Sequence, residues 1–257
     1  MNVVKFVIAA ISVVMLPYAG IGAELPVPFG YLATLNIDHQ LKQHGFTENI
    51  SIYFDASITN VIDTLLTGDF DNGGFGVNRR LLTTKILRDS DVTYTIDFSP
   101  GMSADPCFII FRNDGYTLKR LTNGIIGGTQ LIVPGDGFLY ISGHTNNTFN
   151  QRRKYRIDGD TIFEVKQPCY YVGLESVTNR EIKLWNDPDA EDEYNLVATL
   201  PKGSQVIVLL KQIEQYPNYT YLVRTPFGLT GWVRFKTEEL FMWTDPNPIE
   251  GLFYRGD

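Results

Sequence analysis

Two cysteines and three histidines are all the thiol and imidazole chemistry this 257-residue chain offers, which removes most catalytic and metal-binding arrangements. A cysteine nucleophile needs a histidine beside it and a third group to orient that base. Cys107 and Cys169 instead open apolar, strand-like runs, Pro106-Cys107-Phe108-Ile109 and Pro168-Cys169-Tyr170-Tyr171, and neither stands at a helix start, where thiols are readily activated. His39 and His44 are five positions apart, a poor fit to one helical face, and no His-Glu-x-x-His occurs. Asp69-Phe70-Asp71-Asn72-Gly73-Gly74 opens like a calcium loop but puts Gly73 at the fifth position and Arg80 at the twelfth, where a bidentate glutamate belongs, so it reads as a glycine-rich turn. No metal and no cofactor is expected.

Positive charge is also short. Lys and Arg number 22 against 29 Asp and Glu, a formal net charge of −7, and no Lys/Arg cluster is interleaved with aromatics. Such a surface repels phosphate backbones, so nucleic acid is not an expected partner.

Long apolar runs are missing except at the amino terminus. Lys5 precedes an apolar stretch over residues 6–17, and Tyr18-Ala19-Gly20-Ile21-Gly22-Ala23 supplies small residues before Glu24. This reads as a secretory signal peptide over residues 1–23. The run is shorter than the roughly 18 apolar residues of a membrane span. The expectation is an exported mature protein with no membrane span, in the periplasm, at the cell surface or outside the cell. There, an even cysteine count permits a Cys107–Cys169 disulfide, worth up to roughly 4 kcal/mol by loop entropy. Two buried free thiols are the alternative.

What the chain has in quantity is alternation. In Val92-Thr93-Tyr94-Thr95-Ile96-Asp97-Phe98 the apolar residues fall on one face and the polar ones on the other, as a half-buried strand requires. Similar runs recur over residues 108–111, 130–133, 138–142, 155–157, 161–165 and 170–174. Asn113-Asp114-Gly115, Gly127-Gly128, Pro134-Gly135-Asp136-Gly137 and Asp158-Gly159-Asp160 punctuate them as turns. Only two segments read as helical: one capped by Ser57, with Ile58, Val61, Ile62, Leu65 and Leu66 on one side and Gly68 at its end, and a weaker one over residues 37–44. The predicted fold is all-β: a β-sandwich-like domain over residues 24–173 with one or two short helices, a second small domain over 174–243, and a surface tail over 244–257.

The second domain carries a resemblance. Ile182-Lys183-Leu184-Trp185 leads through an acidic loop to Ala198-Thr199-Leu200-Pro201-Lys202-Gly203, then Val206-Ile207-Val208-Leu209, the run over 220–223 and Phe227-Gly228-Leu229-Thr230-Gly231-Trp232-Val233. The order of the Leu-x-x-Gly step and the Gly-Trp-Val strand resembles the bacterial SH3-like domain family, over about residues 177–242. Where members commonly carry Asn-Val-Arg, this chain has Lys183-Leu184-Trp185. The resemblance implies a small β-barrel that binds or scaffolds, in exported and cell-wall proteins, with protein or cell-wall peptide or glycan as partner. Gly203, Gly228 and Gly231 suit turns or close backbone approach. Trp232 either fills a barrel core or meets a partner, and Trp185, Tyr194 and Tyr221 are candidate groove residues.

In the first domain, the stretch Gly143-His144-Thr145-Asn146-Asn147-Thr148-Phe149-Asn150-Gln151-Arg152-Arg153-Lys154 gathers an imidazole, amides and cations between two strands. His144, Asn146, Arg152 and Arg153 are candidate ligand contacts there, because planar amide and guanidinium groups suit hydroxyls and carboxylates and loops on rigid sheets carry recognition. An ordinary polar connection is the plainer reading. Three functions follow: a non-enzymatic envelope binding or scaffolding protein; a cell-wall or glycan-acting hydrolase or lyase working through the His144 loop; or a structural component of an envelope assembly.

Overall fold

The computed structural model describes residues 28–37, 50–66, 79–101, 105–190, 192–213 and 217–256. The expected signal segment 1–23, residues 38–44 of the weaker helix and the calcium-like stretch 69–74 lie outside them. Met1–Tyr31 and Leu32–Asp257 are separate compact units. In the first, Phe29–Tyr31 forms a 3-10 turn.

The second unit is built from strands. In chain order they are β1 (Ala33–Asn36), β2 (Ser51–Phe54), β3 (Thr59–Leu65), β4 (Arg79–Thr84), β5 (Thr93–Ser99), β6 (Cys107–Asn113), β7 (Leu118–Gly127), β8 (Gln130–Val133), β9 (Phe138–Ser142), β10 (Arg153–Asp158), β11 (Thr161–Glu164), β12 (Cys169–Val177), β13 (Ile182–Trp185), β14 (Leu196–Leu200), β15 (Gln205–Gln212), β16 (Asn218–Arg224) and β17 (Thr230–Lys236). They form an 11-stranded sheet, β1-β2-β8-β9-β10-β11-β7-β6-β5-β4-β3, and a 6-stranded sheet, β12-β15-β16-β17-β13-β14. Among the described residues the only helical segments are short 3-10 turns, so the all-β expectation holds at the level of class.

The large sheet curls around one core. Ile52 and Phe54 of β2, near one end of the strand order, share a cluster with Leu81 and Leu82 of β4, near the other, and with Ile96, Phe108, Leu131, Leu139 and Ile162 between them. Alternation explains most of the inward residues, and adjacent Leu81 and Leu82 both enter the core where the β4–β5 register shifts between Arg80 and Leu82. The outward face of β5 is buried too, and its polar groups are paired, as burial demands: Asp97 accepts from Arg80 Nε and Nη2 at 2.9 and 3.1 Å, and Thr95 Oγ1 meets Thr83 Oγ1 at 3.3 Å and Asn113 Nδ2 at 3.1 Å. Burial pushes the Asp97 carboxyl above the ordinary carboxylate value, and Arg80 opposes the shift.

Residues 57–66 correct the helical expectation. Asp55, not Ser57, caps a single 3-10 turn, Ala56–Ile58, and the chain then runs straight as β3. β3 is an edge strand with Val61, Ile62 and Leu65 exposed. Asp63, at φ 49°, coincides with a register shift between Val61 and Thr64. Such irregularity, with charge, protects an edge from adding further strands.

The smaller sheet has its own core of Ile182, Leu184, Val206, Val208, Tyr221, Val223, Val233 and Phe235. It begins at Cys169, ahead of the expected boundary at residue 174. The segment expected as a surface tail also contributes to it, because Ile249 and Leu252 are fully buried there.

Candidate functional site

The connection between β9 and β10 reaches out of its own sheet into the smaller one. Phe149 is buried in the smaller sheet's core, and Thr148 Oγ1 lies 2.6 Å from the Tyr221 hydroxyl in a buried contact. His144 Nε2 is 2.8 Å from the Phe253 carbonyl, with the two rings 5.2 Å apart. The Asn146 amide donates to Arg255 O at 2.6 Å, and the Arg255 amide returns to Asn147 O at 3.0 Å. The structure therefore uses His144 and Asn146, both candidate ligand contacts, to fasten the carboxy-terminal segment across the seam between the sheets. Tyr221, a candidate groove residue, is fully buried beside them, a correction that follows from its place on the inward face of β16.

Arg152 and Arg153 point apart, as neighbours entering a strand must. Arg153 is half-buried and donates to Gly127 O at 2.5 Å, while Arg152 is exposed with its guanidinium 5.8 Å over the Tyr171 ring. Cys107 and Cys169 are both free and half-buried, so the permitted disulfide is not formed. Burial raises the Cys107 thiol to about 11, against a hydrogen bond from Ser99 that lowers it. A thiol held in that state is a poor nucleophile near neutral pH. Among the described residues, no group of three His, Cys, Asp or Glu is placed to hold a metal ion.

The outer face of the smaller sheet brings more together. Cross-strand partners share a face. Register pairs Tyr171 of β12 with Leu210 of β15, Leu210 with Leu222 of β16, Leu222 with Trp232 of β17, and Trp232 with Trp185 of β13. These five side chains form one row across five strands, on the side away from Leu184, Val223 and Val233. Trp232 is thus half-buried on the outer face and not in the core of the smaller sheet, which Val233 and Phe235 help to fill. Gly231 makes the β13–β17 approach possible, since a Cβ there would sit 2.7 Å from Leu184 Cβ and 3.1 Å from Trp185 O. Cations flank both ends of the row: Arg152 at Tyr171, and Lys183 Nζ 6.0 Å from the Trp185 ring.

Tyr194 stands beside the Trp185 end. The acidic loop leaves at Trp185 and closes through an Asn186 N to Asn195 O bond of 2.9 Å, and Asp192 caps the 3-10 turn Glu193–Asn195 by accepting from Tyr194 N and Asn195 N at 3.0 and 3.2 Å. Arg234 pins the other side of the loop by donating to Pro188 O at 2.5 Å. Tyr194 itself is 99% exposed. Sequence reasoning nominated Trp185, Trp232 and Tyr194 but missed Tyr171, Leu210 and Leu222. Tyr171 carried a signal, as the outward member of an alternating run; the leucines became visible only through register. No family model matches this chain, and neither the curated proteins nor the solved structures searched contain a match to it.

Proposed function

We propose that this is an exported, non-enzymatic binding or scaffolding protein of the bacterial envelope, whose smaller sheet is an SH3-like barrel holding protein or cell-wall peptide. The strand arrangement supports the barrel reading: a β15-β16-β17 meander, β17 returning to β13, β13 paired with β14, and a 3-10 turn, Thr237–Leu240, after the last strand. Gly228, at φ 96° in the β16–β17 turn, takes the left-handed conformation that a glycine adopts without strain. In the same reading the curled large sheet is a sandwich-like carrier.

The single observation that carries the function is the unbroken row Tyr171-Leu210-Leu222-Trp232-Trp185 on a rigid outer face. Large aromatic anchors on a pre-ordered surface are what binding energy concentrates on. The flanking Arg152 and Lys183 suit a ligand bearing carboxylates, as cell-wall peptides do.

Retention of the full protein on purified peptidoglycan tests this. The wild type is expected to be retained, and Trp232→Ala and Trp185→Ala each to weaken retention by roughly tenfold or more. No retention of the wild type, or equal retention of both variants, removes the reading and leaves a structural role in an envelope assembly. A hydrolase or lyase working through His144 finds less support, because that ring is engaged with Phe253 at the seam.

A further inference from the structure

The turn after the smaller sheet holds large apolar side chains in solvent. Met242 is 57% and Trp243 67% exposed, and the Phe241 and Trp243 rings stack with centroids 4.8 Å apart and planes 23° from parallel. The segment that displays them is closely tied. Asn247 Nδ2 donates to the Phe241 carbonyl at 2.9 Å and to the Glu239 carbonyl at 3.3 Å, and Thr244 Oγ1 donates to the Glu238 carbonyl at 2.7 Å. Thr244 N closes the turn on Phe241 O at 2.9 Å, and Tyr254 N bonds Leu240 O at 2.5 Å. On either side Leu240 and Ile249 are anchored in the core. An indole presented this way loses little freedom on binding.

Charge selects the occupant. Residues 237–251 contain Glu238, Glu239, Asp245 and Glu250 and no lysine or arginine. Glu239 is paired with Arg180, while Glu238, Asp245 and Glu250 are exposed. A negative field around an exposed indole attracts cations and repels anionic lipid and polyanions, and the face of tryptophan is the best aromatic surface for an ammonium or guanidinium group.

We propose that the Phe241–Trp243 turn is a docking site for a lysine- or arginine-bearing segment of a partner protein. The cation lies on the open face of the Trp243 indole, with the Glu238 and Asp245 carboxylates supplying the opposing charge. The site does not rest on the outer-face row described above.

Fluorescence anisotropy of labelled oligolysine and oligoarginine peptides with the full protein, beside an oligoglutamate, tests the proposal. Saturable binding of the cationic peptides is expected, weakened about tenfold by Trp243→Ala and similarly by the double variant Glu238→Gln/Asp245→Asn. It should be unchanged in Tyr116→Ala, which removes a still more exposed ring on the β6–β7 turn. Absence of binding, or binding that Trp243→Ala leaves intact, overturns it. So does sedimentation of the wild type with neutral phosphatidylcholine vesicles that Trp243→Ala abolishes, since the turn would then be a membrane-inserting tip.

Discussion

The hydroxyls of Thr148 and Tyr221 meet at 2.6 Å with no solvent access, one from the β9–β10 connection of the large sheet and one from β16 of the small. A buried hydroxyl pair of this kind is costly to break from one side, because the remaining group loses a partner without regaining water. Tyr221→Phe is expected to lower unfolding stability by about 1–2 kcal/mol. Thr148→Val should cost a similar amount, and the two together less than their sum. Denaturant melts of the three variants measure this, and strict additivity would show that the contact contributes nothing.

Gly231→Ala forces a methyl group against Leu184 Cβ and the Trp185 carbonyl, both within 3.1 Å of the new atom. The β13–β17 approach has to open, at about 1–3 kcal/mol. Because the same approach sets Trp185 beside Trp232, the melting temperature and peptidoglycan retention should fall together. A variant that melts normally would mean the strands can part freely.

Asp55 and Asp97 respond to pH in opposite senses. Burial pushes the Asp55 carboxyl up, but the Ser57 hydroxyl and amide and the Arg88 guanidinium outweigh it and hold the group below its ordinary value. Its folded form therefore keeps the ionised state longer, and its stabilisation, present at neutral pH, disappears as pH falls through the lowered range. Asp97, raised by burial, loses stabilisation as pH rises above the ordinary carboxylate value. Asp55→Asn should flatten the acid limb of a stability profile and Asp97→Asn steepen it. Parallel limbs in both variants would contradict the assignment.

Cys107, in a Cys169→Ser background, should be alkylated slowly at neutral pH in the native state and rapidly in denaturant, because its thiol sits near 11. A reductant should leave the thermal midpoint of the wild type unchanged, since the two thiols are free. Fast native labelling, or a lowered midpoint on reduction, would refute these assignments.

Local alternation was enough to read β5 and β16, where one face is apolar and the other mostly polar. It failed at residues 57–66, because Ile58, Val61, Ile62, Leu65 and Leu66 happen to satisfy helical spacing. The β-branched content of Thr59, Val61, Ile62 and Thr64 pointed to a strand, and pairing with β4 decides it. The site divides the same way. Trp185, Trp232 and Tyr194 are conspicuous residues in a small barrel-like pattern and could be nominated from composition. Leu210 belongs to the row only because a bulge between Val208 and Leu210 shifts the β15–β16 register, which no local pattern reports. Phe149, likewise, looks like loop decoration until a core far along the chain receives it.

That phenylalanine has a bearing on how such a protein can be taken apart. A fragment cut at residues 174–243 would lack Phe149, Ile249 and Leu252, leaving holes in the core that three side chains from elsewhere in the chain now fill. The smaller sheet is therefore not portable: grafted alone onto another scaffold it would arrive hollow, and any bench study of the proposed binding row has to carry the neighbouring sheet along.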